Sequence, residues 1–308
     1  DPREPFVLQP GPQRQRVSLA LVHRYQLMPY LYTAFAQTAG VLGGSAVPAV
    51  ARHLMLVFPE DGECFGVTDT FMLGDALLAR PITEQAGGPD SRAQFSLFIP
   101  RRSPATYAQD RRPEALKQPL LWYSFCSGAY VQRDSAEEGA PGVADHSGRL
   151  RVMEESDCAV PLFQRAGTVV PFKVTVGKST VDLPEHPIEL RVAIDVGMHA
   201  QGVLYVDDGE TTEFKHGEAR CAVTFVLRQG RICAIATEAD CPKFEPKDTV
   251  SAVRFANETL PTWKTAKVLS ADGDVVSASK PAIEASPAAS FVTVTGLDLP
   301  LKRVDAPP

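Results

Sequence analysis

The sequence predicts a mainly β protein, one amphipathic helix followed by two stacked antiparallel β-sandwich domains. Three observations carry this. Apolar residues recur at helical spacing in a single segment, residues 17–37. Beyond residue 45, about a dozen short runs rich in β-branched and aromatic residues alternate with turn residues. The chain has 308 residues, enough for about two domains at roughly 100 to 200 residues each.

In the helical segment Leu21, Tyr25, Met28, Tyr32 and Phe35 follow one another at steps of four and three, one stripe of a helix. Ser18 is placed to cap its start, and Gly40 suits the left-handed position just past its end. Pro29 lies inside the pattern. It removes one backbone donor and crowds the carbonyl of Tyr25, so the spacing predicts a helix that bends there without stopping.

The β-rich runs cover residues 54–58, 70–78, 95–99, 120–125, 160–170, 188–194, 202–206, 221–227, 232–236, 250–255, 267–269 and 291–294. Polar stretches at 84–93 and 132–149 mix Gly, Pro, Ser and charges without periodicity and read as surface loops. Residues 277–290, rich in Ala, Ser and Pro, read as a loose connection before a final strand.

Composition narrows the function. The chain is 44% hydrophobic and 22% charged with a net charge of −6, an ordinary balance that disfavours a nucleic-acid binder. No stretch approaches the roughly 20 uninterrupted apolar residues of a membrane span. The chain begins at Asp1, which reads as a piece of a longer protein. Six cysteines (Cys64, Cys126, Cys158, Cys221, Cys233 and Cys241) contain no C-x-x-C pair, so no metal site or redox motif is expected. Their even number leaves disulfides and core thiols both open. Asn257, the single asparagine, begins the sequon Asn257-Glu258-Thr259, an acceptor for N-glycosylation in a secreted chain.

Candidates for chemistry are few. Asp207-Asp208 is the tempting carboxylate pair. Yet Leu204-Tyr205-Val206-Asp207-Asp208-Gly209 reads as a strand entering an Asp-Gly hairpin turn, and neighbouring strand residues point to opposite faces. Asp69 and Asp75 flank an apolar run and suit strand-end capping. The six histidines are dispersed, with no H-E-x-x-H or triad spacing. Gly43-Gly44 and Gly87-Gly88 lack the context of a phosphate loop and read as turns. Trp122, Tyr123, Phe125 and Tyr130 surround Ser127-Gly128. They fit a strand end in the core, with sugar stacking as the alternative. No catalytic, cofactor-binding or metal residue is expected, and no cofactor.

Several segments in fixed order nonetheless resemble glycoside hydrolase family 31 downstream of its catalytic residues. Arg3-Glu4-Pro5-Phe6 is similar to R-E-P-W, and Arg24-Tyr25-Gln26-Leu27-Met28-Pro29-Tyr30-Leu31-Tyr32-Thr33 to R-Y-x-L-L-P-Y-x-Y-T. Arg52-His53-Leu54, Phe58-Pro59-Glu60-Asp61 and Leu73-Gly74-Asp75-Ala76-Leu77-Leu78 match its next segments. Val160-Pro161-Leu162-Phe163-Gln164-Arg165-Ala166-Gly167-Thr168 and Gly202-Val203-Leu204-Tyr205-Val206-Asp207-Asp208-Gly209 match its later ones. Phe163-Gln164-Arg165 and Val176-Gly177-Lys178-Ser179-Thr180 resemble the endoplasmic-reticulum glucosidase II type in particular. Phe6 for Trp, Ala166 for Gly and Ser124 for Asp depart from the pattern.

The resemblance implies that residues 1–45 are the end of a catalytic (β/α)8 barrel with its last helix, 46–172 a proximal β-sandwich and 173–308 a distal one. It implies a retaining α-glucosidase that trims glucose from glycans in the endoplasmic-reticulum lumen or secretory pathway. Its two catalytic aspartates lie in barrel segments with no match here, so this chain alone is expected to be inactive. The implied partners are that barrel portion, a regulatory beta subunit and, through the barrel, the glycan substrate. A non-catalytic carbohydrate-binding or subunit-docking module is the alternative.

Overall fold

A computed structural model describes residues 7–8, 10–42, 49–83, 94–100, 120–131, 149–153, 160–177, 179–216, 218–228, 230–235, 241, 244, 246–256, 265, 267, 281–285, 291–297 and 299–301. Asn257, Arg3 to Phe6 and most of the two polar stretches fall outside them. The chain divides into two compact units, residues 1–24 with 51–165, and 25–50 with 166–308.

The expected single helix is two. α1 runs Pro12–Gln26 and α2 Met28–Thr38, so the helix stops at Leu27, whereas a bend at Pro29 without a stop was expected. Pro29 falls in the first turn of α2, where a missing N–H is harmless, and the break sends Leu27 into the interior at 5% exposure. Ser18 lies inside α1, whose start is Pro12 after Gly11, with Gln15 N–H bonding the Gly11 carbonyl at 3.1 Å. The far end behaves as the sequence predicts. Gly40 has φ +71°, its N–H bonds the Gln37 carbonyl at 3.1 Å, and Val41 N–H reaches Ala36 at 2.9 Å, the two bonds of a Schellman cap.

In the first unit, β1 (Ala51–His53), β2 (Phe71–Leu73) and β3 (Leu77–Ala79) belong to an antiparallel sheet with two later strands. β4 (Gln94–Phe98) pairs β6 (Arg149–Met153) in a ribbon of its own. β5 (Trp122–Ser124) and β7 (Leu162–Arg165) complete the first sheet, in the order β1-β2-β3-β7-β5. Residues 54–58, expected as a strand, instead open with a helical turn, α3 (Leu54–Val57). His53 Nδ1 caps it by accepting Met55 N–H at 3.2 Å, which overrides the β propensity of the run. The run 70–78 is likewise a hairpin, because Gly74 with φ +59° reverses the chain. The core gathers Phe58, Phe95, Phe98, Trp122 and Phe163 around Leu54, Met72 and Leu78. Arg80, 1% exposed, is bound through Nε by the Ser96 carbonyl at 3.0 Å and by Asp69 at 3.4 Å.

The second unit is one long, curled sheet: β8 (Thr168–Lys173), β9 (Ile188–Ala193), β10 (Ala200–Asp207), β11 (Arg220–Arg228), β12 (Arg231–Ile235), β13 (Thr249–Ala256), β14 (Ala282–Ala285), β15 (Phe291–Thr295) and β16 (Leu299–Pro300). Its order is β12-β11-β10-β8-β9-β13-β15-β14, with β16 on β13. The ladders are antiparallel except β9–β13 and the single β8–β10 contact at Thr168 and Gln201. Alternation sets the core: Cys221, Val223, Phe225 and Leu227 of β11 point inward, and Ile188, Leu190 and Val192 of β9 join them. β14 lies where a loose connection was expected, and Lys267 is not in a strand.

Cys221 and Cys241 form a disulfide, and Cys126 is also disulfide-bonded. Lys173, 2% exposed, donates to Asp248 at 2.5 Å and to the His186 carbonyl, so the buried cation is paired. No helix among the described residues is long and apolar enough to cross a membrane.

Candidate functional site

Where β10 leaves β8 after Gln201, strand donors that a neighbouring strand would satisfy lie open, and α2 fills that place. Gly202 makes the divergence feasible: a Cβ there would stand 2.0 Å from the Val169 carbonyl oxygen, so only glycine allows the two backbones so close. Tyr205 N–H then donates to Thr33 Oγ1 at 2.9 Å, and that hydroxyl donates to the Pro29 carbonyl at 2.7 Å. A side chain of the helix thus completes a strand's hydrogen bonding.

Around this point the polar residues of the family-like motifs converge. Tyr32 Oη donates to both Asp207 oxygens, at 2.9 and 2.7 Å, and Tyr205 Oη donates to Oδ2 at 2.9 Å. Gly209 N–H adds a bond to Oδ1 at 3.0 Å. The two rings lie 5.7 Å apart, tilted by 42°. Gln26 Nε2 donates to the Val174 carbonyl at 2.8 Å near the start of α2, and Arg220 donates to the Val41 carbonyl at its end. The helix is latched at its start, middle and end.

The electrostatics fit a latch. Burial first, and then the hydrogen bonds to Asp207, hold both phenols protonated well above the ordinary tyrosine range, so they remain donors to Asp207. Asp208 serves a separate task. The Thr211 hydroxyl at 2.6 Å and the backbone N–H groups of Thr211 and Glu210 surround its carboxylate and hold its pKa below the usual value. Each aspartate is engaged by a different set of donors, as the hairpin reading requires. The connection itself is longer than the expected Asp-Gly turn. Asp207 and Arg220 close a twelve-residue loop, Asp208 to Ala219, that contains a 3-10 turn at Glu213–His216.

The other candidates sort the same way. Asp75 pairs with Arg52, which also donates to the Gly74 carbonyl at 3.0 Å, and Asp69 pairs with Arg80. Trp122 and Tyr123 are fully buried and Phe125 is 5% exposed, so their faces are core and not a sugar platform. Ala166 replaces a glycine without strain because Gly167, at φ +79°, carries the turn. Among the described residues no three His, Cys, Asp or Glu side chains could hold a metal ion. Sequence reasoning missed Tyr32 and Thr33 as anchors. The available signal was their place in one motif with Tyr205 and Asp207 in another.

Saturated carboxylates, protonated phenols and a helix tied to a curled sheet define a β-sandwich scaffold. Residues 48–170 match the glycosyl hydrolase family 31 C-terminal domain, and this part of the chain belongs to that family. It is 34% identical over 202 residues to neutral alpha-glucosidase C of Mus musculus, covering 66% of this chain and 18% of that protein. It is 32% identical over 216 residues to a probable glucan 1,3-alpha-glucosidase of Oryza sativa subsp. japonica, covering 70% and 19%. The chain therefore spans about a fifth of the length of these curated relatives. Among solved structures, the ER glucosidase II heterodimeric complex of catalytic subunit and regulatory-subunit binding domain superposes with a TM-score of 0.71. The match is 20% identical and covers 97% of this chain and 29% of that one. A Flavobacterium johnsoniae GH31 dextranase gives 0.61 at 17% identity, covering 94% and 32%. At such identity the likeness is one of fold.

Proposed function

We propose that this chain is the C-terminal, supporting portion of a retaining α-glucosidase that trims glucose from glycans in the endoplasmic reticulum or secretory pathway. In this reading residues 1–45 end the catalytic barrel, 46–172 form the proximal sandwich and 173–308 the distal one. The barrel holds both catalytic carboxylates, and the chain alone does not turn over substrate. A regulatory subunit and the glycan are partners of the whole enzyme, and Asn257 is its glycan acceptor in this portion.

One observation carries the reading. α2 is latched to its sheet along one side, while Phe35 on its other side is 59% exposed. A rigidly held helix with an exposed aromatic ring on its free side is built to receive a further layer, since helices gain most of their stability from packing such a face. The test is reassembly. The purified chain should show no hydrolysis of p-nitrophenyl α-glucoside, and should bind a separately produced barrel portion and restore activity to it. Phe35→Asp should weaken that binding at least about tenfold, the equivalent of roughly 1.4 kcal/mol. Turnover by the chain alone, or undiminished binding by Phe35→Asp, would overturn the reading. Glycan binding without the barrel would favour the carbohydrate-binding module.

A further inference from the structure

β12 ends the long sheet. It pairs with β11 on one side and, among the described residues, with no strand on the other. Arg231, Cys233 and Ala234 are exposed. The register fixes which backbone groups face outward. Arg228 pairs with Arg231 with only two residues between them in sequence, which makes that pair hydrogen-bonded, and pair types alternate along the ladder. The Val226–Cys233 pair is therefore hydrogen-bonded too. Cys233 directs its own N–H and C=O at β11, and Ile232 and Ala234 direct theirs to the open edge. Such an edge is a template for another strand.

Cys233 is the centre of this five-residue strand. A second copy laid antiparallel about a two-fold axis through Cys233 sets Ile232 opposite the partner's Ala234 and Cys233 opposite the partner's Cys233. The outward-facing pairs are then hydrogen-bonded, and the cysteines form the non-hydrogen-bonded pair between them. In such a pair the Cα atoms lie about 4.5 Å apart, inside the roughly 4.4 to 6.8 Å span of disulfides. The two Arg231 residues fall about four positions apart along the strands, roughly 14 Å, beyond a Debye length of about 8 Å. Like charge therefore does not oppose the pairing. Cys221, Cys241 and Cys126 are already oxidised and Cys64 is buried, which leaves Cys233 as the exposed thiol among the described residues.

We propose that β12 is a self-association edge, through which two copies pair antiparallel and are locked by a Cys233–Cys233 disulfide. With a small-molecule disulfide as oxidant, one Cys233 thiolate attacks it, forms a mixed disulfide and releases one small thiolate. The partner's Cys233 thiolate then attacks the protein sulfur of that mixed disulfide and releases the second. Two protein thiols are oxidised, one small disulfide is reduced to two thiols, and the two protons end on the released thiolates.

The full chain is incubated with oxidised glutathione at one fixed micromolar concentration and followed by non-reducing gels and light scattering. The control is Cys233→Ser carrying Val181→Cys, a thiol at a position 82% exposed and away from any strand edge. The wild type should form covalent dimer at least about tenfold faster than this control, because strand pairing raises the local thiol concentration. Ala234→Pro removes an outward donor without touching the β11 ladder and should slow dimer formation to the control rate with an unchanged circular dichroism spectrum. A wild-type rate no faster than the control, a product that is only the mixed disulfide with glutathione, or undiminished dimer formation by a folded Ala234→Pro would each overturn the proposal. The comparison with the Val181→Cys control decides the matter even where the proline variant fails to fold.

Discussion

The two units reach stability by different routes. In the first, β1, β2, β3 and β5 have three residues each, and the core relies on five large rings, Phe58, Phe95, Phe98, Trp122 and Phe163. In the second, β10, β11 and β13 run to eight or nine residues, and burial is spread over many aliphatic side chains. Short strands offer few inward positions, so each must fill more volume, whereas long strands repeat a modest contribution many times. The first unit concentrates its stability and the second distributes it.

That contrast breaks most directly at Trp122, which is fully buried. Trp122→Ala should cost about 4 kcal/mol in denaturant unfolding, against about 2 kcal/mol for Val223→Ala in the second unit. Equal costs would show that burial in the first unit is as distributed as in the second.

The disulfide is the second unit's own concentrated element. Replacing Cys221 and Cys241 by alanine opens a link between residues separated by 20 positions, and the chain-entropy account predicts a loss of about 3 kcal/mol. Unfolding of the double variant without reductant measures it; a loss under about 1 kcal/mol would make the ladders sufficient by themselves.

A smaller effect is expected at the crossing of β10 over β8. Gly202→Ala places a methyl group against the Val169 carbonyl and should cost about 2 kcal/mol, with loss of amide protection in α2 by hydrogen exchange. Unchanged protection would show that α2 does not depend on that close approach.

The smallest effect sharpens the latch. Tyr32→Phe removes a hydrogen bond to a carboxylate, worth about 1 kcal/mol at this partly exposed position. Because both phenols have raised pKa values in the folded chain, the folded state binds more protons than the unfolded one above pH 10.0, the ordinary tyrosine value. Their contribution is complete below that pH and is lost as pH rises beyond it. Alkaline ultraviolet titration should find one tyrosine fewer resisting ionisation in Tyr32→Phe than in the parent chain.

Much of the architecture was legible in residue periodicity. The β-rich runs at 188–194, 221–227 and 250–255 became β9, β11 and β13 with small shifts at their ends, and in β11 one buried face enforces strict alternation. Two other runs gave weaker guidance. Residues 54–58 and 70–78 carry strand-like composition, but a histidine cap and a positive-φ glycine made them a helical turn and a hairpin. The latch was legible only in halves. Tyr32 and Asp207 stand 175 residues apart, and no local pattern joins two polar residues across that distance.

The sequence by itself determined the mainly β class, the Schellman stop at Gly40, the hairpin character of Asp207-Asp208 and, through its ordered motifs, the family. Each of these depends on neighbours within a few positions or on wording that survives without coordinates. Tertiary structure alone decided which helix face is buried. The stripe of Leu21, Tyr32 and Phe35 remains exposed, while Tyr30, Thr33, Ala34 and Ala36 pack inward. Small and hydroxylic side chains suit the close approach of α2 to a diverging pair of strands, and that gap exists only once residues far apart in the chain have paired.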